Sequence, residues 1–172
     1  MTILEEFEVE AWHILVAIYT HQRLIEGLTS SATRFDLANQ FIALTALLEM
    51  LVVRVARLVD KRKDARSVSM LLKHGSFSGS QSTVKAAAEK FATLAEPVVK
   101  MRHERIAHMK PGVLSSYEPQ GLPKEVLRAT ESLIDLIDTA RGQPMSYTYK
   151  VGSMEALIDL KASLAAGKMV AA

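Results

Sequence analysis

Phe41, Leu44, Leu48, Leu51, Val52, Val55 and Val59 recur at intervals of three and four residues across positions 34 to 60. That period puts apolar side chains on one face of an α-helix, whereas a strand would need alternation at every second position. A helix this long and this apolar must be covered, so the segment predicts a largely buried helix within a helical bundle. Three other stretches repeat the signal: residues 3–28 with Phe7, Trp12, Leu15, Ile18 and Leu24, residues 83–109 with Ala87, Phe91, Leu94, Val98 and Ile106, and residues 123–141 with Val126, Leu127, Leu133, Ile134 and Ile137. The expected architecture is all-α, an antiparallel bundle of four main helices with short accessory helices. Residues 1–145 form the bundle, and residues 146–172 form a carboxyl-terminal clasp and short helix packed on the same domain.

Local signals mark the boundaries. Thr29-Ser30-Ser31 ends the first helix, and Thr33 with Asp36 forms a capping pair for the second. Ser67 precedes a short apolar run to His74, and Ser153 precedes another from Met154 to Leu164, each reading as a capped accessory helix. Tyr147 and Tyr149 predict an extended clasp, and Gly167–Ala172 a frayed end. Gly75–Ser80 is too short to separate two cores. Pro97 removes a backbone donor, so the third long segment either kinks there or divides into two helices. Pro111-Gly112 stops it, and Ser115–Gly121 is a polar connection.

The chain has 172 residues and no cysteine, so it can enclose a core without a disulfide, and thiolate metal sites are excluded. Its amino-terminal stretch is acidic through Glu5, Glu6, Glu8 and Glu10, unlike a secretory signal, and every apolar run is interrupted before the roughly 20 residues of a membrane span. A cytoplasmic protein with no membrane partner is expected. The formal net charge is only +2, too small to announce nucleic-acid binding by itself. Positive groups nevertheless gather in Lys61–Arg66 and again in Lys100, Arg102, Arg105 and Lys110.

The second basic group contains Arg102-His-Glu-Arg-Ile-Ala-His108. On an α-helix Arg102 and His108 are about 9 Å apart along the axis and about 120° apart around it. Arg105 and His108, three apart, are closer neighbours. Arg102 also shares its spacing with Val99, Ile106 and Met109, which sets a guanidinium on an apolar stripe. Such a group needs a carboxylate, Asp60 before Glu49, or else an interface that admits a phosphate. His13, His21 and His74 stand away from any obvious second ligand. Neither a zinc-type His-Glu-x-x-His pattern, a glycine-rich phosphate loop nor a Gly-x-Ser-x-Gly elbow occurs, so no metal and no cofactor is expected.

The Arg102-His103-x-x-x-x-His108 pattern on a helix of an all-helical chain resembles the signature of the HEPN superfamily. Phe41 with its long apolar helix, the Arg57-Leu-Val-Asp60 turn, Ser67-Val-Ser-Met-Leu-Leu72 and Arg105-Ile-Ala-His108 are similar to the abortive-infection-like (AbiU-type) branch, over roughly residues 5 to 140. The resemblance implies a metal-independent endoribonuclease of a toxin–antitoxin or phage-defence system, with Arg102 and His108 as catalytic residues. His103 and Arg105 would bind substrate, and Asp60 would be the structural partner. It also implies a homodimer whose two motifs face one cleft, with RNA or a nucleotide and a cognate antitoxin or defence-system protein as partners. His103 occupies a position that is often Asn in that family. A noncatalytic nucleotide- or RNA-binding regulator and a structural protein-interaction bundle are the alternatives.

Overall fold

The computed structural model describes residues 1–28, 33–62, 65–107, 120–151 and 156–172. Helix α1 (Ile3–Gly27) opens at Thr2, whose hydroxyl accepts from the Glu5 N–H at 3.2 Å while the Glu5 carboxylate accepts from the Thr2 N–H at 2.7 Å. Helix α2 (Arg34–Leu58) opens in the same reciprocal way on Thr33 and Asp36. Both boxes satisfy donors that a helix start leaves orphaned. Helix α3 (Val68–His74) is short, and the Ser67 hydroxyl meets Ser69 without capping the helix. Helix α4 (Gln81–Met101) starts from Ser80 and continues into a π-helical segment, Arg102–Ala107. Helix α5 (Lys124–Arg141) follows Pro123 and ends at Gly142, whose φ of 72° lies in the left-handed region that glycine enters without strain. Strands β1 (Thr148–Val151) and β2 (Ala156–Asp159) pair antiparallel, with Thr148 opposite Asp159, and helix α6 (Leu160–Ala166) completes the chain.

The fold is an all-α bundle of four long helices with two short accessory helices. Its core joins Phe7, Ile14, Leu15 and Ile18 of α1 to Leu51 and Val55 of α2, Phe91 and Val98 of α4, and Leu133 and Ile137 of α5. Burying each of the larger side chains stabilises the fold by about 1.5–3 kcal/mol relative to leaving it exposed. The carboxyl-terminal segment joins the same core through Tyr147, Ile158, Leu160 and Leu164. Trp12 donates its indole N–H to the Thr148 carbonyl at 3.0 Å and meets Tyr149 edge-on. The acidic start of the chain is spent on cross-helix pairs. Glu8 holds Arg141 in a two-pronged pair, Glu10 meets Arg54 at 2.7 Å, and Glu6 meets Arg66 at 2.6 Å.

Three expectations are corrected, and of the two outcomes left open at Pro97 one is excluded. The first half of α2 is not buried: Phe35 is 74% exposed and Ile42 49% exposed, because the core takes mainly the residues from Leu44 onward. Pro97 does not divide α4. Thr93 and Pro97 are both exposed, so the carbonyl that loses its donor faces water. The last helix begins at Leu160 under an Asp159 cap, because residues 156–159 pair with β1 instead of coiling. Ser153 and Met154, like Thr29–Ser31, Pro111-Gly112 and most of the polar connection after them, lie outside the described residues. The chain end is tied, with Ala172 N–H donating to the Leu157 carbonyl at 2.9 Å and Val170 N–H to the Ser163 hydroxyl at 2.9 Å.

His21 is 1% exposed in α1, and neither its Nε2 nor the buried Oε1 of Gln40 in α2 finds a hydrogen-bond partner among the described residues. Burial lowers the His21 pKa below its usual 6.5. Below that value the unfolded chain takes up a proton that the folded chain refuses, so stability falls as pH drops. The urea midpoint should therefore decline between about pH 7 and pH 5, and more steeply in wild type than in His21→Leu. Equal slopes in the two proteins would remove His21 as the cause.

Candidate functional site

Arg102 is the first residue beyond α4, and its backbone N–H donates to the carbonyls of Val98 and Val99. From there to Ala107 the ladder runs in π register, linking residues five apart. The change of register has a packing cause. Val98 is fully buried, and Met101 and Ile106, five apart, both rest against the core. At 3.6 residues per turn Ile106 would rotate away from that face; the wider π turn returns it. Arg102 is left half-buried on the flank of the apolar stripe, while His103 and Arg105 are exposed. His108 lies outside the described residues.

Asp60 stands just past α2 with a side chain only 15% exposed. Its carboxylate accepts from the Arg62 backbone N–H at 3.0 Å and from the Arg62 Nε at 3.1 Å. The backbone hydrogen bond is the main cause that lowers the Asp60 pKa below 3.8; the Arg62 charge and side-chain bond add to it, and the Arg102 charge contributes as well. Arg102 is thus within electrostatic range of Asp60, but the direct ion pair is made by Arg62. Glu49, the other carboxylate considered, is exposed on α2. Two guanidinium groups from different elements accordingly bear on one carboxylate. The arrangement can receive an anion if Asp60 yields one of them, since a guanidinium grips carboxylate and phosphate oxygens with similar geometry.

Arg62 was visible in the sequence only as part of a basic loop. The signal that identifies it is local: an aspartate commonly accepts from the N–H two residues on, which is the turn seen here. A second unforeseen feature lies alongside. A cavity of about 290 Å³ opens between the end of α2, α3 and the middle of α4, with Val59, Val68, Leu72, Ala88 and Ala92 as apolar lining and Asp60, Lys61, Ser69 and Glu89 as its polar groups. Small Ala88 and Ala92 leave the space that larger residues would fill. No cluster of three or more His, Asp or Glu side chains able to hold a metal ion occurs among the described residues, and none of the described helices is long and apolar enough to cross a membrane.

Compared with known proteins, the chain matches no family model, no curated protein and no solved structure.

The arrangement around Asp60 makes a spectroscopic prediction. Carbon-detected NMR titration of the Asp60 carboxyl should give a pKa below 3.8, and Arg102→Ala should raise it, by less than Arg62→Ala does. An unchanged value in Arg102→Ala would place that guanidinium too far away to serve as a partner.

Proposed function

We propose that this protein is a cytoplasmic, metal-independent endoribonuclease of a toxin–antitoxin or phage-defence type, akin to the abortive-infection-like branch of the HEPN superfamily. The single observation that carries the reading is the coincidence of the Arg-x-x-x-x-x-His segment with the π-helical turn at Arg102–Ala107, within electrostatic range of a carboxylate that Arg62 holds. Short π segments are rare and frequently occur at functional sites, because the register change offers side chains and carbonyls in directions an α-helix does not.

The chemistry assigns each residue a distinct task. His108 supplies an imidazole, the side-chain type suited to proton transfer at neutral pH, and accepts the proton of an RNA ribose 2′-hydroxyl as that oxygen attacks the adjacent phosphorus. Arg102 donates to the nonbridging oxygens as negative charge builds on them, and Arg105 helps to seat the phosphate. The bond from phosphorus to the 5′-oxygen breaks, leaving a 2′,3′-cyclic phosphate on one product. The departing oxygen takes a proton from a second group, either His103 or the His108 of a second copy. RNA is the substrate, and a cognate antitoxin or defence-system protein is the partner that restrains the activity.

Cleavage of a mixed RNA pool in the presence of EDTA tests the reading. Wild type should cleave, and His108→Ala should lose about 10²- to 10⁴-fold in rate while keeping most of its RNA affinity. Arg102→Ala should lose both rate and affinity, and Arg102→Lys should recover less than its charge predicts, because the planar fork is gone. Circular dichroism must show each variant folded. Absence of cleavage by folded wild type, or wild-type cleavage by His108→Ala, would replace the enzyme with a noncatalytic RNA- or nucleotide-binding regulator.

A further inference from the structure

The unburied half of α2 carries a regular stripe. Phe35, Asn39, Ile42, Ala46 and Glu49 are all exposed and follow one another at intervals of four, three, four and three residues. That alternation is the seam spacing of two helices packed side by side, with positions of the a and d type falling on a single line. Phe35 and Ile42 leave most or half of their area in water, whereas the same helix from Leu51 onward is packed against the rest of the bundle.

We infer that this stripe is the surface on which two copies of the chain form an antiparallel two-fold dimer. The inference is independent of the functional reading and assigns a different surface from the motif-facing homodimer that the resemblance implies; it rests on the α2 stripe and not on the RNA chemistry. A two-fold interface must be complementary to itself. With the axis passing between Gln40 and Phe41, Phe35 of one copy lies over Ala46 of the other and Ile42 lies beside Asn39 of the other, so each large side chain meets a smaller one. Exposed Arg34 falls opposite residue 47 of the second copy, about 3 Å along the axis from Glu49, a gap an arginine side chain spans. The two ends of the seam therefore carry opposite charges that pair across the axis. A parallel arrangement would set Phe35 on Phe35, Arg34 on Arg34 and Glu49 on Glu49, with like charges opposed at both ends. Asn39, the one polar group in the middle of the seam, favours a single register, as a polar residue at such a position does in helical pairs.

The antiparallel seam also separates the motifs. Asp60 and its neighbours lie at the far end of α2 from the axis, so the two Lys61 positions come out about 60 Å apart at the helical rise per residue. This differs from a dimer whose two Arg102 groups share one cleft.

Sedimentation of the full chain between about 1 and 100 µM tests the surface. Wild type should dimerise, and Phe35→Glu and Ile42→Lys should each weaken the dimer at least about tenfold by bringing a charge into the seam. Because both residues are exposed, the thermal midpoint measured at a concentration where wild type is also monomeric should hold, which separates interface loss from misfolding. Arg34→Glu and Glu49→Arg should each weaken association, and the double reversal should restore it. The chain has no cysteine, so Lys61→Cys can carry a single spin label, and the label-to-label distance should be about 60 Å. A monomer at the highest concentration, a dimer indifferent to Phe35→Glu, failure of the double reversal to restore it, or a label distance under about 30 Å would each overturn the inference. The RNA assay fails independently: a dimer with these properties that cleaves nothing keeps the surface and loses the nuclease.

Discussion

The buried face of α1 is the constraint on which the other elements depend. Phe7, Ala11, Ile14, Leu15 and Ile18 form its inward stripe, and α1 packs against α2, α3, α5 and α6. Truncating Phe7, Ile14, Leu15 or Ile18 to alanine would open a cavity that the surrounding helices fill only partly, and losses of about 2–5 kcal/mol are usual for such truncations. The rim of the same helix fixes register. Glu6, Glu8 and Glu10 reach Arg66, Arg141 and Arg54, so residues early in the chain are pinned to α2, to the loop after it and to the end of α5. These pairs are partly solvated and individually contribute little to stability. Their value is positional, since each ties one point of α1 to a different neighbouring segment.

Helix α5 was legible in the sequence because every determinant of it is local: Pro123 at its start, a period of three and four residues along it, and Gly142 in the left-handed conformation at its end. The capping pair at Thr33 and Asp36 was legible for the same reason. What the sequence did not disclose depends on distant neighbours. Periodicity shows that one face of α2 is apolar, but not how far along its length a partner extends, and so the exposure of Phe35 and Ile42 was missed. Residues 156–159 look as helical as strand-like until β1 is opposite them, because strand pairing is a non-local gain. The tethered carboxyl terminus depends on that same ribbon, through Leu157 and Asp159.

The candidate site divides along the same line. Arg102 was expected on an apolar stripe and is found half-buried beside one, with Met101 and Ile106 taking the inward positions. No propensity scale announces the π register that brings this about, since it arises where two large side chains five apart compete for one core face. Asp60 was identified as a partner, but its nearest guanidinium belongs to Arg62. The electrostatic logic survives in a different form. A carboxylate whose pKa is lowered mainly by a backbone N–H stays ionised regardless of what Arg102 does. Arg102 can therefore move toward an arriving anion without leaving Asp60 uncompensated, which is what a phosphate-binding arginine at a partly desolvated position requires.

Helix α2 connects the two surfaces that the structure offers, and its length sets how they relate. Its carboxyl end leads into Asp60 and the cavity beside it, while its amino-terminal half carries the exposed seam. If two copies join along that seam, the distance from axis to Asp60 is about twenty residues of helix, or roughly 30 Å, so the two sites cannot share an RNA phosphate. The second proton in a cleavage reaction must then come from the same copy. Of the histidines near the motif, His103 is exposed next to Arg102 in the π segment, and an imidazolium can transfer a proton to a leaving oxygen, whereas the amide of the asparagine common in the HEPN signature cannot. The replacement that weakens the resemblance thus supplies the group that an antiparallel dimer would lack. Under this arrangement His103→Asn should lower the cleavage rate while leaving RNA affinity and the dimer intact.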